Sequence, residues 1–416
     1  MIKCSNFNII VSKENNKYLL YNTFKHGLVE IDEECKNDLL NLNENSMYKD
    51  AFLDFGFWIP KNINEIEEMK FTSRRVKFND DILYITLKLT NACNFRCVYC
   101  YQSPEDSHFD SNKINILKKF IKNQVHVGKN KISIHFFGGE PLMNKKAIRD
   151  IADFLNKESI ECEFSMTSNG YLLDDDTINL LKSIELSVIQ ITLDGIRESH
   201  DKSRILVDGG GTFDVIVNNI KKLLLSSDIK VVVRYNITKV NSESINSFLD
   251  MLSAEELLHK NLELAFNEAV DLNDSSNSEL FFNTREEYSQ AKLVAYNAMA
   301  RHNMKIEPML YTGTSCQFDK AEAFVITTNL ELEYCTSSDI IAGRINSKGE
   351  FEENFSLYKR ILREPFEKEK CKNCNILPIC MGGCALLEKI NDDSCMAEKY
   401  IIEDVVRLYG SSKEVI

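Results

Sequence analysis

The sequence lacks the features that mark several common classes of partner. It has no excess of basic residues, because its 416 residues carry 50 Lys and Arg against 63 Asp and Glu, a formal net charge of -13. A phosphate backbone attracts clustered Lys and Arg, so this balance argues against a nucleic-acid partner. No apolar run reaches membrane-spanning length, and the first ten residues, MIKCSNFNII, have no secretory signal pattern. We therefore expect a cytoplasmic protein with no nucleic-acid or membrane partner.

Cysteine, by contrast, is plentiful, with 13 residues. A reducing compartment disfavours disulfides, so grouped cysteines indicate a metal site or catalysis. Seven of the thirteen fall in two tight groups, at positions 93, 97 and 100 and at positions 371, 374, 380 and 384. The scattered Cys4, Cys35 and Cys162 are predicted to be small buried hydrophobic residues.

The middle of the chain alternates strand-like and helix-like stretches, without low-complexity linkers or short-period repeats. The strand candidates are residues 84–90, 131–138, 161–169, 187–195, 230–238 and 262–269. The helical stretches are residues 113–127, 145–157, 175–185, 213–226, 243–255 and 285–302. Six consecutive βα units predict an α/β fold with a parallel sheet, here an open six-stranded partial (β/α)6 barrel over residues 81–305.

The two ends of the chain have different patterns. Residues 1–80 contain three short strand-like stretches and a helical stretch, which predict a small α+β module. Residues 306–416 are rich in cysteine and loops and end in a helical stretch at 395–409. We therefore predict three domains, with boundaries near residues 80 and 305.

Three cysteines follow the first predicted barrel strand, in the run Cys93-Asn-Phe-Arg-Cys97-Val-Tyr-Cys100. A [4Fe–4S] cube normally takes four thiolates, so three from one loop leave one iron free for a small chelating ligand. The amine and carboxylate of S-adenosylmethionine (SAM) suit that role. A structural zinc loop is the alternative, but zinc prefers four protein ligands and no fourth Cys or His lies nearby.

Polar motifs end the next three predicted strands. They are Gly138-Gly139-Glu140-Pro141, Thr167-Ser168-Asn169-Gly170 and Thr192-Leu193-Asp194-Gly195. Glycine allows close backbone approach, and carboxylate, hydroxyl and amide groups can line a polar ligand. Chemistry in such folds lies at the carboxyl ends of the strands. We therefore expect these motifs to share one site with the cysteine triplet.

These residues together resemble the radical SAM superfamily, in particular its members with a C-terminal SPASM domain. The resemblance implies that Cys93, Cys97 and Cys100 bind the SAM-cleaving [4Fe–4S] cluster. It also implies that Tyr99 packs by the adenine, and that residues 138–141 bind the methionine amine. The candidate SAM-binding residues are Tyr99, Gly138, Gly139, Glu140, Ser168, Asn169, Thr192 and Arg204. Arg234 and Asn236 could also contact SAM or could close a polar layer of the barrel.

The C-terminal cysteines resemble the seven-cysteine signature of SPASM domains. By that resemblance Cys371, Cys374, Cys380 and Cys395 hold one auxiliary iron–sulfur cluster, and Cys316, Cys335 and Cys384 hold another, both expected to be [4Fe–4S]. A pair of structural zinc sites is the alternative. Residues 310–315 lack the cysteine that often supplies a fourth ligand, so the second set predicts an open iron, a water or other non-cysteine ligand, or a different nuclearity. Thr336 stands where sulfatase-maturing members have a proton-accepting aspartate.

Residues 1–80 resemble, more weakly, the winged-helix-like peptide-recognition element of enzymes that modify ribosomally synthesised peptides (RiPP maturases). Such elements bind a leader peptide at an exposed strand edge; a stabilising cap is the alternative. The resemblance implies a radical oxidoreductase that abstracts hydrogen from a Cys-rich precursor peptide and forms a thioether. The expected partners are that peptide and an electron donor such as flavodoxin or ferredoxin. Carbon–carbon crosslinking, epimerisation, sulfatase maturation and a non-catalytic iron–sulfur or zinc scaffold are the alternatives.

Overall fold

The structure is a computed structural model that describes residues 1–129, 131–272, 279–306, 309–391 and 394–412. The chain divides into two compact units. The first contains residues 1–78, 284–320 and 362–416, and the second contains residues 79–283 and 321–361. Within the described ranges, no helix is both long and apolar enough to cross a membrane.

The secondary-structure elements are numbered in chain order. The strands are β1 Ile2–Cys4, β2 Asn8–Ser12, β3 Lys17–Asn22, β4 Leu28–Asp32, β5 Trp58–Pro60, β6 Ile82–Lys88, β7 Lys131–Phe137, β8 Cys162–Ser168, β9 Leu186–Thr192, β10 Lys230–Ile237, β11 Leu262–Glu268, β12 Ala323–Ile326, β13 Glu331–Glu333, β14 Ile341–Ile345 and β15 Phe351–Glu353. The helices are α1 Glu33–Leu40, α2 Lys49–Asp54, α3 Glu65–Lys77, α4 Ser111–His126, α5 Lys145–Lys157, α6 Asp175–Ser183, α7 Arg197–Ser203, α8 Phe213–Ser226, α9 Ile245–Ala254, α10 Arg285–Arg301, α11 Phe355–Ile361, α12 Glu369–Lys372, α13 Leu377–Cys380, α14 Ala385–Asn391 and α15 Ile402–Ser412.

The second unit contains a ten-stranded sheet in the order β11-β10-β9-β8-β7-β6-β12-β13-β14-β15. Strands β6 to β11 run parallel to one another, which confirms the predicted α/β fold with its partial barrel. The ends of each lie within three residues of their predicted positions. Their carboxyl ends therefore share one edge of the sheet, where the predicted motifs begin.

The parallel sheet has two chemically different faces. One face carries fully buried apolar residues, such as Ile134, Phe136 and Ile189. The other, here called the polar face, carries Thr86 and Lys88 on β6, Ser133 and His135 on β7, Ser165 and Thr167 on β8, Gln190 and Thr192 on β9, and Arg234 and Asn236 on β10. Bulky branched residues usually fill a barrel interior. A polar lining therefore indicates a face that contacts water or a polar ligand.

Residues 321–361 extend this sheet. Strand β12 pairs parallel to β6, and β13, β14 and β15 continue antiparallel to their neighbours. The sequence pattern instead predicts that these residues belong to a separate loop-rich domain, because the strands are only three to five residues long and short strands carry little periodicity. An ion pair between Lys88 on β6 and Glu333 on β13 crosses β12, which lies between these two strands.

The first unit contains the three-stranded antiparallel sheet β2-β3-β4. One buried cluster joins residues of β2 and β3 to Val406 and Tyr409 of α15, and a second joins β3 and β4 to α1, α2 and Trp58. The predicted module over residues 1–80 thus shares its core with the C-terminal helix. The two compact units therefore divide the chain differently from the three predicted domains, because burial of the N-terminal sheet draws on residues at both ends of the chain.

Candidate active site

The three-cysteine loop leaves the carboxyl end of β6 and is held by backbone pairing. Phe95 and Leu206 form an isolated antiparallel bridge. The surrounding bonds are Arg96 N to Ile205 O at 2.7 Å, Val98 N to Ser203 O at 3.0 Å and Val207 N to Asn94 O at 2.9 Å. Backbone hydrogen bonds on both sides of Cys97 therefore fix the position of its Cα atom.

Gly138 and Gly139 pack directly against the start of the same loop. A Cβ atom at Gly138 would lie 2.3 Å from the Thr90 carbonyl oxygen, and one at Gly139 would lie 2.3 Å from the Ala92 carbonyl oxygen. Gly139 N also donates to Thr90 O at 2.8 Å. The glycines are thus needed for contact between β7 and the cysteine loop, and their predicted approach to a ligand stays a prediction.

Glu140 is fully buried and holds the ends of β7 and β8 together. Its carboxylate accepts from Leu142 N at 3.0 Å, Ser168 Oγ at 2.9 Å and Asn169 N at 2.7 Å. Burial raises the pKa of this carboxyl, and those bonds lower it. The side chain that was predicted to receive a ligand ammonium thus has protein partners on both oxygens, and ligand binding by residues 138–140 stays a prediction.

A buried polar network surrounds Tyr99. The Tyr99 hydroxyl donates to Asp194 and accepts from Arg204 Nη1 at 2.7 Å and Asn236 Nδ2 at 3.1 Å. Arg204 Nη1 lies 3.8 Å from Asp194 Oδ2, and both side chains are at most 7% exposed. Burial raises the pKa of the Asp194 carboxyl, and the Arg204 guanidinium opposes that shift.

Two further predicted residues lie on the polar face. Thr192 stands directly across from Arg234 in the register of β9 and β10. Arg234 Nε donates to Asn236 Oδ1 at 2.7 Å. This bond favours the polar-layer interpretation of Arg234 over direct ligand contact.

The three thiols lie in one electrostatic environment. Burial raises the pKa of the Cys97 thiol to about 12, and Cys100, Asp194 and Cys93 add to that shift. Burial likewise raises the pKa of Cys93, while Arg204 opposes the shift at both thiols. A bound metal would replace these protons, since thiolates are the ligands.

Two buried polar atoms beside the loop have no hydrogen-bond partner, namely Asn94 Nδ2 and Arg204 Nε. Buried donors are normally satisfied, so such atoms call for a bound group. Three thiols at a sheet edge with two unsatisfied donors fit a [4Fe–4S] cluster with SAM. Among the residues that the structure describes, no three His, Cys, Asp or Glu side chains are placed to hold a single metal ion; a cube instead attaches each thiolate to a different iron.

Tyr101 connects the cysteine loop to the segment after β13 in the same unit. Its hydroxyl donates to the Thr336 carbonyl oxygen at 3.2 Å. Burial raises the Tyr101 pKa to about 12, and Cys100 and Cys335 also contribute to the increase. Cys335 therefore shares an electrostatic environment with the residue that follows the triplet.

The four cysteines predicted to hold one auxiliary cluster lie in one electrostatic environment within the first unit. Burial raises the pKa of the Cys380 thiol to about 11, and Cys395, Cys374 and Cys371 increase it further. Cys374 and Cys380 pack against the cluster that contains Tyr21 and Val406. Four cysteine thiolates are the usual ligand set of a fully ligated iron–sulfur cluster, and the assignment of these four stays a prediction.

The other predicted set divides between the units, because Cys316 and Cys384 belong to the first and Cys335 to the second. Within the first unit Arg363 joins the segments that carry Cys316 and Cys384. Its Nη1 lies 3.4 Å from Ser315 Oγ, and its Nη2 donates to Gly383 O at 2.8 Å. The three-cysteine set itself stays a prediction.

The scattered cysteines differ in burial. Cys35 is 4% exposed, as predicted, whereas Cys4 and Cys162 are half-buried.

Comparison with known proteins decides the family. The Radical SAM superfamily profile matches residues 87–254, which contain the cysteine loop and strands β7 to β10. Residues 87–254 are a radical SAM domain. The predicted resemblance to the radical SAM superfamily is thereby confirmed for these residues, whereas the predicted SPASM domain over residues 306–416 lies outside the match.

Three curated relatives are enzymes of different activity. The radical SAM cyclopropyl synthase TigE of Paramaledivibacter caminithermalis is 27% identical over 54% of this chain and 54% of its own length. The Fe-coproporphyrin III synthase of Methanosarcina barkeri is 30% identical over 46% of each chain. The cysteine-type anaerobic sulfatase-maturating enzyme of Clostridium novyi is 29% identical over 38% of this chain and 44% of its own. The chain thus spans about half the length of the curated relatives it matches.

Two solved structures share the fold. Native anSMEcpe with bound AdoMet and Cp18Cys peptide has a TM-score of 0.62 at 16% identity and covers 80% of this chain and 98% of that chain. Streptococcus suis SuiB bound to S-adenosylmethionine has a TM-score of 0.53 at 14% identity and covers 95% of this chain and 98% of that chain. At such identities the likeness concerns the fold alone.

Sequence reasoning missed the hydrogen bonds made by the Asn94 side chain and by the Asn236 backbone. Asn94 Oδ1 accepts from Asn169 Nδ2 at 2.8 Å, and Asn236 N donates to Asp194 Oδ1 at 2.8 Å. Polar residues beside each motif were a signal for these bonds, but their partners lie up to 75 residues away in the chain.

Proposed function

We propose that this protein is a SAM-dependent radical maturase of a ribosomally synthesised peptide, most specifically one that forms a thioether from a cysteine sulfur. The observation that carries the radical chemistry is the clamped three-cysteine loop beside two buried, unsatisfied donors, Asn94 Nδ2 and Arg204 Nε. A [4Fe–4S] cluster and SAM, when bound, supply a carbon-centred radical that abstracts a hydrogen atom.

The residues of this chain would hold and orient those groups. Cys93, Cys97 and Cys100 would bind three irons. Arg204, whose guanidinium is 6% exposed, would present its unpartnered Nε to an anionic ligand group. Asn94 would donate a second hydrogen bond through its free Nδ2.

The polar face supports a peptide as substrate. His135 lies 2.9 Å from both Ser165 Oγ and Thr167 Oγ1, and Lys88 forms an ion pair with Glu333. Amide and side-chain groups of a peptide can exchange hydrogen bonds with such a surface, whereas a lipid-like substrate could not. The solved relatives with bound Cp18Cys peptide and with precursor peptide SuiA support the same class of substrate.

The N-terminal sheet supports leader binding. Strands β2 and β4 are its two edges, and no strand in the described part of the chain pairs with their outer sides. An extended peptide could add to either edge through main-chain hydrogen bonds. An electron donor such as flavodoxin or ferredoxin would supply electrons.

Thioether formation is supported by the segment after β13. Thr336 offers no carboxylate there, and its carbonyl accepts the Tyr101 hydroxyl. A base in that position serves aldehyde formation, by the resemblance to sulfatase-maturing members. The predicted cluster of Cys316, Cys335 and Cys384 has three cysteines, so an open iron could bind a substrate thiolate.

The test combines the anaerobically reconstituted enzyme, SAM, dithionite and a small Cys-containing peptide encoded beside its gene. We expect the peptide to lose two hydrogens and one alkylatable thiol, while the same peptide with Cys replaced by Ala is unchanged. Loss of two hydrogens with all thiols retained would indicate carbon–carbon crosslinking instead. Deuterium uptake from heavy water without another mass change would indicate epimerisation.

Sulfatase maturation is the second candidate. The sequence similarity to the Clostridium novyi enzyme and the fold similarity to anSMEcpe favour it. An aldehyde formed on a short Cys-containing sulfatase peptide would support this activity and exclude the thioether proposal.

A further inference from the structure

The segment 194–213, which follows β9, contains several buried polar residues. His200, Thr212 and Asp194 are all at most 1% exposed. Asp194 N donates to His200 Nδ1 at 3.1 Å, so Nδ1 carries no hydrogen and Nε2 does. His200 Nε2 then donates to Thr212 Oγ1 at 3.0 Å, and the Thr212 hydroxyl donates to Arg204 O at 2.8 Å.

A second contact anchors the far end of this segment. Asp201 Oδ1 accepts from Thr212 N at 2.7 Å and from Phe213 N at 2.9 Å, at the start of α8. A Cβ atom at Gly211 would lie 2.7 Å from Asp201 Oδ2. The segment thus closes on itself, with Thr212 bonded through both its backbone and its hydroxyl.

The middle of the segment forms backbone hydrogen bonds with the cysteine loop. Ser203 O and Ile205 O, on either side of Arg204, accept from Val98 N and Arg96 N, on either side of Cys97. Arg204 therefore stands opposite Cys97 in a short antiparallel pairing. Its side chain also lies over the Phe95 ring, 5.5 Å from the centroid, and bonds Tyr99.

We propose that residues 194–213 are a clamp that positions Cys97, and that Thr212 is the positioning residue that keeps the clamp closed. The chain of contacts runs from Thr212 through the Arg204 carbonyl to the two backbone bonds beside Cys97. This inference rests on the proposed function, because it assigns the clamp to a loop that binds the SAM-cleaving cluster.

Two variants of Thr212 isolate the contribution of its hydroxyl. Thr212→Val keeps the side-chain volume but removes both hydroxyl bonds, and Thr212→Ser keeps them. Thr177→Val is the matched control, because Thr177 is also fully buried, lies in the same unit and donates to Asp174 at the start of α6, outside the clamp. Full-length reconstituted enzymes are compared by iron content, thermal unfolding, 5′-deoxyadenosine formation and the EPR signal that changes when SAM is added.

The proposal expects Thr212→Val to lower 5′-deoxyadenosine formation about 10- to 100-fold at unchanged iron content, as displaced ligand-orienting partners do. It also expects a shift in the SAM-sensitive EPR signal. Thr212→Ser should stay near the wild-type rate, and Thr177→Val should lose thermal stability without the spectroscopic change. Equal rates and spectra for Thr212→Val and Thr212→Ser would overturn the proposal, as would the same spectral shift in Thr177→Val.

Tyr99→Phe covers the case in which Thr212→Val does not fold. It removes the hydroxyl that accepts from Arg204 while keeping the ring, and the clamp predicts the same spectral shift. A wild-type spectrum in Tyr99→Phe would then contradict the clamp. If the wild-type enzyme itself shows no SAM-sensitive signal and forms no 5′-deoxyadenosine, the proposed function fails rather than the clamp alone.

Discussion

The two best-defined cysteine sites of this protein are held in different ways. In the second unit, the loop with Cys93, Cys97 and Cys100 is fixed by backbone pairing and a buried network of charged and polar side chains. In the first unit, the set with Cys371 and Cys380 lies on short helices that pack against apolar clusters.

The difference indicates different tasks. Unsatisfied donors lie beside the first site, whereas no buried side-chain atom without a partner is found between the described residues 371 and 389 or at residues 394 and 395. A site with free donors suits an exchangeable ligand such as SAM. A set of four thiols in apolar packing suits a permanently bound cluster that stabilises the surrounding helices.

The largest expected effect separates the two sites. The double variant Cys371→Ser, Cys380→Ser should lose about four irons and much of the stability of the first unit, because metal binding contributes folding free energy directly. SAM cleavage should persist, since the other cysteine loop lies in the second unit. Iron analysis, thermal unfolding and 5′-deoxyadenosine assays measure these effects, with Cys4→Ser as control. Unchanged iron content would contradict the prediction that these cysteines bind an iron–sulfur cluster.

Added volume at Gly139 should displace the cysteine loop of the first site. In Gly139→Ala the new methyl group would lie 2.3 Å from the Ala92 carbonyl oxygen, so the cysteine loop must move. We expect SAM cleavage to fall about 100-fold, as for a displacement of about 1 Å at a reacting centre. Gly128→Ala is the control, because its Cβ would meet nothing within 4 Å. A fall of the same size in both variants would assign the loss to general destabilisation.

Neutralising the buried carboxylate tests the charged network. Asp194→Asn leaves the Arg204 guanidinium without its anion in a buried site, which should cost about 3 kcal/mol of unfolding free energy. The SAM-cleavage rate should fall about 10-fold, because Tyr99 and Arg204 lose a common partner. Denaturant unfolding and 5′-deoxyadenosine assays check both effects. A rate equal to that of the wild type would show that the network does not orient the loop.

The smallest effect concerns His135 on the polar face. Burial lowers its pKa to about 4 from an unfolded value of 6.5, so its stabilising contribution is complete above pH 6.5 and is lost as the pH falls toward 4. Between pH 7.5 and 5.5 the wild type should lose about 1.4 kcal/mol of stability through this residue. His135→Gln should remove that part of the pH dependence in denaturant titrations. An unchanged pH dependence would mean that the imidazole is solvated, and the polar face open to water.

Much of the second unit could be predicted from sequence, because five βα units of strong periodicity lie between residues 82 and 254 and β11 follows them. The cysteine triplet and the polar motifs were also placed correctly at the carboxyl edge of the sheet. The extension β12–β15 was not foreseen, since strands of three to five residues are stabilised by register with neighbours rather than by their own pattern.

The roles of individual site residues were harder to predict. Glu140 and the two glycines before it have a ligand-binding pattern, yet their observed contacts are with Ser168, Asn169 and the loop at residues 90–92. His200 and Thr212 belong to a stretch that resembles a pattern of SPASM members, but the pattern does not give their hydrogen-bond partners, which are known only once segment 194–213 folds over the cysteine loop. The roles of these residues thus depend on contacts with residues distant in the chain, which local motifs do not reveal.

The most direct test of the account is iron and sulfide analysis combined with 5′-deoxyadenosine formation in the variant with Cys93, Cys97 and Cys100 all replaced by Ala. Cys162→Ala, outside both cysteine sites, is the control. The account predicts about twelve irons per wild-type chain if three four-iron clusters bind, and about four fewer in the triple variant. We also expect SAM cleavage to be lost completely in that variant and to stay at the wild-type rate in the control. Continued SAM cleavage by the triple variant would contradict the assignment of this loop as the radical-forming site.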